Sequence, residues 1–291
     1  MPTRARIFSN QALDDKIYRM VLEAPKIAQT CRPGQFVNLY CDDKSRLLPR
    51  PISICDADQK EGTLTLIFAV VGQGTEEFAG KKAGDTIRVL GPLGNGYDLK
   101  IAQGADRILV MGGGLGMPPM LFLARKLNAP QKTDIYLGFR SQPWMGQEFR
   151  SFGTVYESSD DGACGFKGTV LDKMRKVETA PSVETAPSVE IAPSVETAPS
   201  VETAPSEEPA PLTGKTVVYA CGPKPMLKAL QQEFAADDKV DCYFSLEERM
   251  GCGIGACAGC PALLRMPDGS IERHGVCKEG PIFNGKQVIF E

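Results

Sequence analysis

Four cysteines near the C-terminal end constrain this chain more than any other feature of its sequence. Cys252, Cys257, Cys260 and Cys277 follow the pattern C-x4-C-x2-C-x16-C. Three of them lie in one glycine-rich loop, and the fourth comes from a separate segment. Glycine lets a loop wrap closely around a bound group and point its amides at sulfur. The pattern therefore predicts a loop that holds metal through thiolates.

The spacing of the first three cysteines is that of plant-type [2Fe–2S] ferredoxins. Each iron needs two thiolates, so one loop supplies three sulfurs and a second segment supplies the fourth. A structural zinc site more typically uses two C-x2-C pairs, and only one is present here, so zinc is the alternative. A Rieske centre needs two histidines, whereas His274 is the only one. We predict a [2Fe–2S] cluster with all four cysteines as ligands.

The cysteine count, the apolar runs and the net charge indicate the cellular compartment and disfavour some classes of partner. Ten cysteines, four of them at ligand spacing, fit reduced thiols in the cytoplasm better than a secreted, disulfide-bonded protein. We expect no membrane span and no secretory signal, because no long apolar run is present. Residues 177–211 contribute −7 to a net charge of −3, which leaves +4 elsewhere. That balance, without basic clusters and interleaved aromatics, does not favour nucleic-acid binding.

The pattern of apolar residues divides the chain into three parts. Residues 1–98 read as short strands separated by turns, which predicts a six-stranded antiparallel barrel. From residue 99 to 242, apolar strands alternate with helical patterns, which predicts a doubly wound α/β domain with a parallel sheet. Residues 243–291 contain the cysteine loop and a predicted β-hairpin, and form a small cluster-binding subdomain. The predicted barrel strands begin near Ala5, Ile17, Gln35, Pro51, Thr63 and Asp85.

A repeated hexapeptide interrupts the predicted α/β domain. The sequence VETAPS occurs five times from Val177 to Ser206, with Ile191 replacing one threonine. Regular proline blocks helices and central strands, and little apolar surface is available to offset the entropy of ordering. We predict a disordered insert over residues 177–211 that has no chemical role, with an interaction tether as the alternative.

Two glycine turns follow predicted strands and open helices. GGGLGMPPM begins at Gly112, and ACGPKPM contains Cys221. Such turns bring backbone amides to a pyrophosphate at the carboxyl end of a sheet. The first is not a G-x-G-x-x-G fingerprint, because Met117 replaces the third glycine. Nucleotide binding and a tight structural turn are therefore both open at this point.

Three barrel motifs are weaker candidates for cofactor contacts. RPISI, from Arg50 to Ile54, places a cation and a hydroxyl on one strand, where both could meet a flavin diphosphate and ring. VGQGT (71–75) and GPLGNG (91–96) are glycine loops that could contact phosphate or serve only as turns. No Ser–His–Asp set, carboxylate pair or histidine metal site can be assembled, so the sequence lacks the residues that a hydrolase would use, which is consistent with redox work. Hydride exchange between nicotinamide and flavin needs positioning more than a protein acid or base.

The order of these motifs resembles the electron-transfer subunits of dihydroorotate dehydrogenase B, in the ferredoxin-reductase superfamily. RPISI, VGQGT, GPLGNGY, GGGLGMPPM, YACGPKPML and SLEERMGCGIGACAGC carry the resemblance, with VCKEGPIF at the end. It covers nearly the whole chain except the VETAPS insert. The resemblance implies an FAD, a [2Fe–2S] cluster and NAD as cofactors. It also implies a partner catalytic subunit that oxidises dihydroorotate on FMN, in a heterotetramer with two copies of each subunit.

The resemblance also implies roles for particular residues. Arg50 would hold the FAD diphosphate, and Ser53 would lie near the reactive edge of the flavin. The full set implied for FAD is Arg50, Pro51, Ile52, Ser53, Ile67, Phe68, Ala69, Gly74 and Thr75. The set implied for the nicotinamide nucleotide is Gly112, Gly113, Gly114, Gly116, Cys221, Gly222 and Pro223. The alternative is a related iron–sulfur flavoprotein that couples NAD(P)H to ferredoxin, sulfide or sulfite.

Overall fold

The computed structural model describes residues 1–179 and 214–290. The first six strands are β1 (Thr3–Asp14), β2 (Ile17–Glu23), β3 (Phe36–Tyr40), β4 (Arg50–Asp58), β5 (Thr63–Ala69) and β6 (Thr86–Leu93). They form a closed barrel in the order β1-β2-β5-β4-β3-β6, with antiparallel neighbours throughout. Two short helices, α1 (Pro25–Thr30) and α2 (Gln73–Ala79), connect them. The predicted barrel is confirmed.

Alternation along the strands decides which side chains fill the barrel. Leu64, Leu66 and Phe68 of β5 are buried in the barrel core, as are Val37 and Leu39 of β3. The residues between them face outward, as expected for side chains that alternate across a sheet. All strands of a closed barrel are paired on both sides, so the barrel has no free edges. Its contacts with the rest of the molecule are therefore made by the outward-facing side chains.

The second half of the molecule contains β7 (Arg107–Gly113), β8 (Thr133–Phe139), β9 (Thr154–Ser159), β10 (Thr216–Cys221), β11 (Val240–Ser245), β12 (Pro261–Arg265), β13 (Ile271–Gly275) and β14 (Ile282–Asn284). Six of these strands form one sheet in the order β14-β11-β10-β7-β8-β9, and β12 and β13 form a separate hairpin. The helices are α3 (Met117–Leu127), α4 (Val170–Thr179) and α5 (Lys224–Phe234). Strands β7 to β11 pair in parallel and β14 is antiparallel.

Helices cover both faces of this sheet. Ile108 and Val110 of β7 pack in the same cluster as α3, whereas Leu109 and Met111 pack with α4 and α5. A strand buried on both faces needs a continuous apolar run, which is what β7 has. The predicted doubly wound topology is confirmed.

The cluster-bearing segment is not separate from this sheet. The boundary predicted between residues 242 and 243 falls inside β11, Val240–Ser245. After the predicted hairpin, which the structure contains as β12 and β13, the chain returns and β14 pairs with β11. The C-terminal segment therefore completes the edge of the nucleotide-side sheet.

The start of the repeat segment differs from the prediction. Helix α4 continues through Thr179, so the expectation of disorder is wrong for residues 177–179. Glu178 reaches Arg107 at 3.1 Å between carboxylate and guanidinium. The first proline of the repeats is Pro181, so nothing in the sequence ends the helix at Lys176. The remainder of the predicted insert, residues 180–211, lies outside the described residues.

Candidate functional site

The first cysteine of the loop between β11 and β12 sits in a cradle of backbone amides. The amides of Ile254 and Ala256 donate hydrogen bonds to Cys252 Sγ at 3.4 and 3.2 Å. Gly253, between Cys252 and Ile254, has φ +68, a left-handed conformation that side chains disfavour. The Ile254 amide is the largest of the effects that lower the pKa of Cys252 to about 6. The loop thus stabilises a thiolate at this position.

The four thiols are arranged as two pairs. Cys257 is the hydrogen-bonding neighbour of Cys252, and Cys260 is that of Cys277. The Gly255 amide donates to Cys277 Sγ at 3.1 Å, so the loop also reaches the second pair. Two pairs are the arrangement that two irons with two thiolates each require.

The thiols of the second pair, Cys260 and Cys277, are buried, so their thiolate forms need a cation beside them. Burial raises the pKa of Cys277 to about 12. Both Cys260 and Cys277 are almost inaccessible to solvent, whereas residues 254–259 of the loop are exposed. Thiolates crowded together in such a place are stable only beside a cation such as iron. The residues therefore fit a [2Fe–2S] cluster that is buried on one side and open on the other.

Within the described residues, no three His, Cys, Asp or Glu side chains converge as on a single metal ion. The cysteines are divided between two pairs instead. A structural zinc ion takes four ligands at the corners of one tetrahedron. The two cysteine pairs instead match the two irons, with two thiolates each, of a [2Fe–2S] cluster.

The RPISI strand lies at the rim of the barrel, beside the start of α2. A Cβ atom on Gly74 would lie 2.2 Å from Arg50 Nε. The guanidinium therefore fits against α2 only because residue 74 is glycine. Arg50 to Ser53 are all half-buried, so their polar groups can be reached by a ligand. The arrangement suits an anionic group held between Arg50 and the amides that begin α2.

The side chain of Thr75 is used inside the protein. Its hydroxyl accepts from the amides of Val71 at 2.9 Å and Gly72 at 3.3 Å, and donates to the Gly72 carbonyl at 2.9 Å. It therefore shapes the VGQGT turn, and only its backbone remains for a ligand.

The three candidates on β5 differ in the direction of their side chains. Phe68 points into the barrel, stacks with Tyr18 at 6.0 Å between ring centroids, and meets Phe78 edge-on. Ile67 faces outward but is buried in the cluster that contains α3. Ala69 is half-buried. The strand therefore offers backbone groups and a small side chain, and no aromatic surface.

The two glycine turns of the nucleotide-side sheet contact each other. A Cβ atom on Gly116 would lie 2.2 Å from the Cys221 carbonyl oxygen, and one on Gly222 would lie 3.2 Å from the Gly113 nitrogen. The structure thus brings all the predicted nucleotide residues to the carboxyl edge of neighbouring strands β7 and β10. That edge, where helices α3 and α5 begin, is where ligands bind in open α/β sheets.

The thiol of Cys221 is completely buried at this edge. Burial raises its pKa well above the usual range, and the Ser245 hydroxyl is a hydrogen-bonding neighbour. A protonated, buried thiol is a poor nucleophile. Cys221 is therefore suited to shape the floor of the site and not to react covalently.

A cavity of about 350 Å³ adjoins the second turn. The carboxylate of Glu247 faces it and, among the described residues, has no cationic partner. Surrounding protein raises the pKa of Glu247 through desolvation. Sequence reasoning missed this residue, although it lies in the SLEERMGCGIGACAGC block. The lining residues are Gly222, Pro223, Lys224, Leu227, Leu246, Glu247, Glu248, Pro261, Ala262, Leu263, Val288, Ile289 and Phe290.

The GPLGNG loop contacts the cluster segment. Asn95 Nδ2 donates to the carbonyls of Lys278 at 3.2 Å and Glu279 at 3.0 Å, and the Asn95 amide donates to Gly280 at 2.6 Å. At the start of the cysteine loop, Asn38 Nδ2 donates to the Cys252 carbonyl at 3.0 Å. The barrel thus holds the cluster segment beside both its first and its last cysteine.

Two domain families match separate parts of the chain. The domain family described as the iron-sulfur cluster binding domain of dihydroorotate dehydrogenase B matches residues 247–289. The oxidoreductase FAD-binding domain matches residues 8–97, which contain the barrel. Fold and domain families together define the class, an iron–sulfur flavoprotein oxidoreductase.

The particular family follows from full-length relatives. The dihydroorotate dehydrogenase B (NAD(+)) electron transfer subunit of Bacillus caldolyticus is 35% identical over 98% of both chains. That of Geobacillus sp. (strain WCH70) is 37% identical over 97% of this chain and 96% of its own. The chain belongs to the family of dihydroorotate dehydrogenase B electron transfer subunits. The predicted family and oxidoreductase class are confirmed.

Solved structures share the fold. The NADH-dependent reduced ferredoxin-NADP oxidoreductase has a chain that superposes with a TM-score of 0.74 at 25% identity, over 98% of this chain and 89% of that one. Phthalate dioxygenase reductase has a TM-score of 0.56 at 16% identity, over 95% of this chain and 77% of that one. No helix in the described parts of the chain is long and apolar enough to cross a bilayer.

Proposed function

We propose that this chain carries electrons from the FMN of a dihydroorotate dehydrogenase catalytic subunit to NAD+, as part of pyrimidine biosynthesis. The observation that carries the proposal is the position of the cysteine loop, which is hydrogen-bonded to the barrel strand next to RPISI. A bound [2Fe–2S] cluster supplies one-electron transfer, and a bound FAD combines two electrons into a hydride for NAD+. Dihydroorotate oxidation releases two electrons and two protons, so one proton is left for solvent.

The cluster would be held by Cys252, Cys257, Cys260 and Cys277. The loop amides described above would then stabilise the sulfurs, and the buried side would exclude water from the second pair. Hydrogen bonds and reduced solvent exposure are the protein's main means of setting a cluster's reduction potential.

FAD would lie along the outer rim of the barrel. Arg50 would pair with its diphosphate, and Ser53 would lie beside the flavin ring. Since Thr75 and Phe68 have side chains engaged inside the barrel, they would contribute backbone contacts only. The other residues in this site are Pro51, Ile52, Ile67, Ala69 and Gly74.

NAD would bind where the two glycine turns meet. The amides of Gly112 to Gly116 would face its phosphates, and Cys221, Gly222 and Pro223 would support the nicotinamide end. The cavity beside Pro223 gives room for a planar ring. Tight packing of Gly116 on Cys221 fixes the distance between the turns.

The exposed part of the cysteine loop would face the partner subunit. Residues 254–259 are exposed and include no charged side chain, whereas the opposite side of the cluster segment is covered by the barrel. An uncharged, open face beside the cluster lets a second protein approach closely. We propose a cytoplasmic heterotetramer with two copies of each subunit, in which the FMN-containing subunit covers this loop.

We propose a division of the chain by cofactor. Residues 1–98 would bind FAD, residues 99–242 would bind NAD around the insert, and residues 243–291 would bind the cluster. The shared β11 and β14 pairing means that the last two parts would unfold together.

Co-expression with a dihydroorotate dehydrogenase catalytic subunit tests the proposal. The expected product is a stable red-brown complex that reduces NAD+ with dihydroorotate. Exclusive association with a ferredoxin-coupled partner would contradict it. The similarity to the ferredoxin-NADP oxidoreductase chain makes that the second candidate function. A colourless preparation that contains zinc would contradict both.

A further inference from the structure

Asn38 is a polar residue in an otherwise apolar strand. Its neighbours Val37 and Leu39 fill the barrel core, whereas Asn38 faces outward and is still completely buried. Its Oδ1 has no hydrogen-bond partner among the described residues. A buried acceptor without a partner is costly, and a leucine of similar volume would avoid that cost. Packing of the barrel therefore does not explain an asparagine here.

The side chain is fitted into the cysteine loop. Nδ2 donates to the carbonyl of Cys252 at 3.0 Å. A Cβ atom on Gly253 would lie 2.4 Å from the same nitrogen, so the loop can approach Asn38 only through a glycine. The contact joins residues that are 214 positions apart in the sequence. Asn38 thus fixes the loop at its first cysteine.

The backbone of Asn38 is paired with the strand proposed for FAD. In the β3–β4 ladder, Asn38 is opposite Pro51, and Phe36 is opposite Ser53. Residues directly opposite each other on neighbouring strands present their side chains to the same face. One residue therefore contacts the RPISI strand through its backbone and the cysteine loop through its side chain.

We propose that Asn38 is a positioning residue for electron transfer between the cluster and FAD, an inference that rests on the proposed function. It sets the distance between the loop and the flavin strand. The positive end of its amide dipole also points at the backbone carbonyl of Cys252, next to the proposed ligand sulfur, which favours the more negative, reduced state of the cluster. Asn95, which holds the segment after Cys277, is a second attachment that keeps this C-terminal segment joined to the barrel when Asn38 is changed.

The test replaces Asn38 in the full chain loaded with both cofactors. In Asn38→Leu, which keeps the volume and removes the donor, reduction of the flavin by NADH should keep its wild-type rate. Electron transfer from flavin to cluster should slow by about ten- to a hundredfold, the usual effect of losing a partner of a metal ligand. The midpoint potential of the cluster should fall, and the EPR g values should shift. Stopped-flow absorbance and an EPR-monitored redox titration give these readouts.

Asn10→Leu is the matched control. Asn10 is also a barrel asparagine whose Nδ2 donates to backbone carbonyls, of Phe78, Ala79 and Lys81, but it contacts no part of the cysteine loop. The Asn10→Leu variant should lower the stability of the barrel and leave the midpoint potential and EPR g values of the cluster unchanged. A merely structural role for Asn38 predicts that the two variants behave alike.

Asn38→Ala covers the case in which leucine prevents cluster assembly. It removes the amide without adding apolar bulk, and the same fall in potential and rate is expected. The proposal is overturned if either variant holds a full cluster with wild-type potential, g values and transfer rate. A wild-type chain that lacks flavin or cluster would instead contradict the proposed function, so the two failures are distinguishable.

Discussion

The cysteine loop and the nucleotide turns are both rich in glycine, but they use it for different reasons. In the cysteine loop, Gly253 has φ +68, and the unusual backbone turns successive amides toward sulfur. In the nucleotide turns, Gly116 has an ordinary φ of −76, and the missing side chain matters because the Cys221 carbonyl occupies that space. One region needs conformational freedom, and the other needs close approach. Similar composition therefore conceals two different constraints.

Removing a cysteine ligand should have the largest effect. Cys257→Ser should hold no iron above background, because the remaining thiol of that pair cannot hold its iron alone. Flavin content and NADH oxidation with an artificial acceptor should persist. Iron and sulfide analysis with EPR measures this. Cys164→Ser is the control, since its thiol hydrogen-bonds to the Ser159 hydroxyl and the Phe166 carbonyl, away from the cysteine loop. An iron loss in that variant would contradict the ligand assignment.

Gly116→Ala should damage the nucleotide side and spare the cluster. The added methyl would overlap the Cys221 carbonyl, so the two turns must separate. We expect NADH-dependent flavin reduction to slow by about tenfold or more, because small misplacements of reacting groups are costly. Stopped-flow reduction at varied NADH separates binding from rate. Gly104→Ala, which has open space around it, should match wild type. Equal effects of the two substitutions would refute the close-approach argument.

Gly253→Ala tests the other use of glycine. The variant combines left-handed strain with a clash against Asn38, so its iron content should fall. Gly269→Ala has similar strain, at φ +86, but open surroundings, and should lose only about 1 to 2 kcal/mol of stability. Iron per chain and thermal unfolding distinguish the two. If Gly253→Ala keeps full iron, strain and contact at this position do not matter to the cluster.

The smallest effect is expected from shortening the repeats. Deleting residues 183–206 should change the free energy of unfolding by less than about 0.5 kcal/mol, because loop length affects closure entropy weakly. A deletion that starts at Val177 also removes Glu178 from Arg107, whose pair is 3.1 Å apart. This longer deletion should lower the free energy of unfolding by about 1 to 3 kcal/mol. Denaturant unfolding measures the free energy of unfolding of both variants. If deleting residues 183–206 costs as much stability as is expected for the longer deletion, the repeats themselves are structural.

These two regions also show what sequence can predict. The cysteine ligands are recognisable because their chemistry needs one residue type at fixed spacing. The barrel and the sheet follow from apolar periodicity, as β5 and β7 illustrate. Gly116 was found as part of a turn, but its contact with Cys221 depends on two strands that meet only in the folded protein.

Other features could not be read from local pattern. Asn38 is hydrogen-bonded to Cys252, which lies 214 positions away in the sequence. Glu247 lines a cavity that is built from four segments of the chain. The role of GPLGNG as an attachment to residues 278–280 is likewise set by tertiary structure. Sequence analysis did not single out Asn38; a polar residue inside an apolar strand, as in FVNLY, is the signal that could have found it.

Anaerobic reduction of the isolated chain with NADH tests the central claim most directly. If this chain passes electrons from NADH to the flavin and then to the cluster, the flavin absorbance should bleach first. A rhombic EPR signal from a reduced [2Fe–2S] cluster should then appear without any partner subunit. Flavin bleaching with no cluster signal, in protein that contains iron and sulfide, would contradict the account.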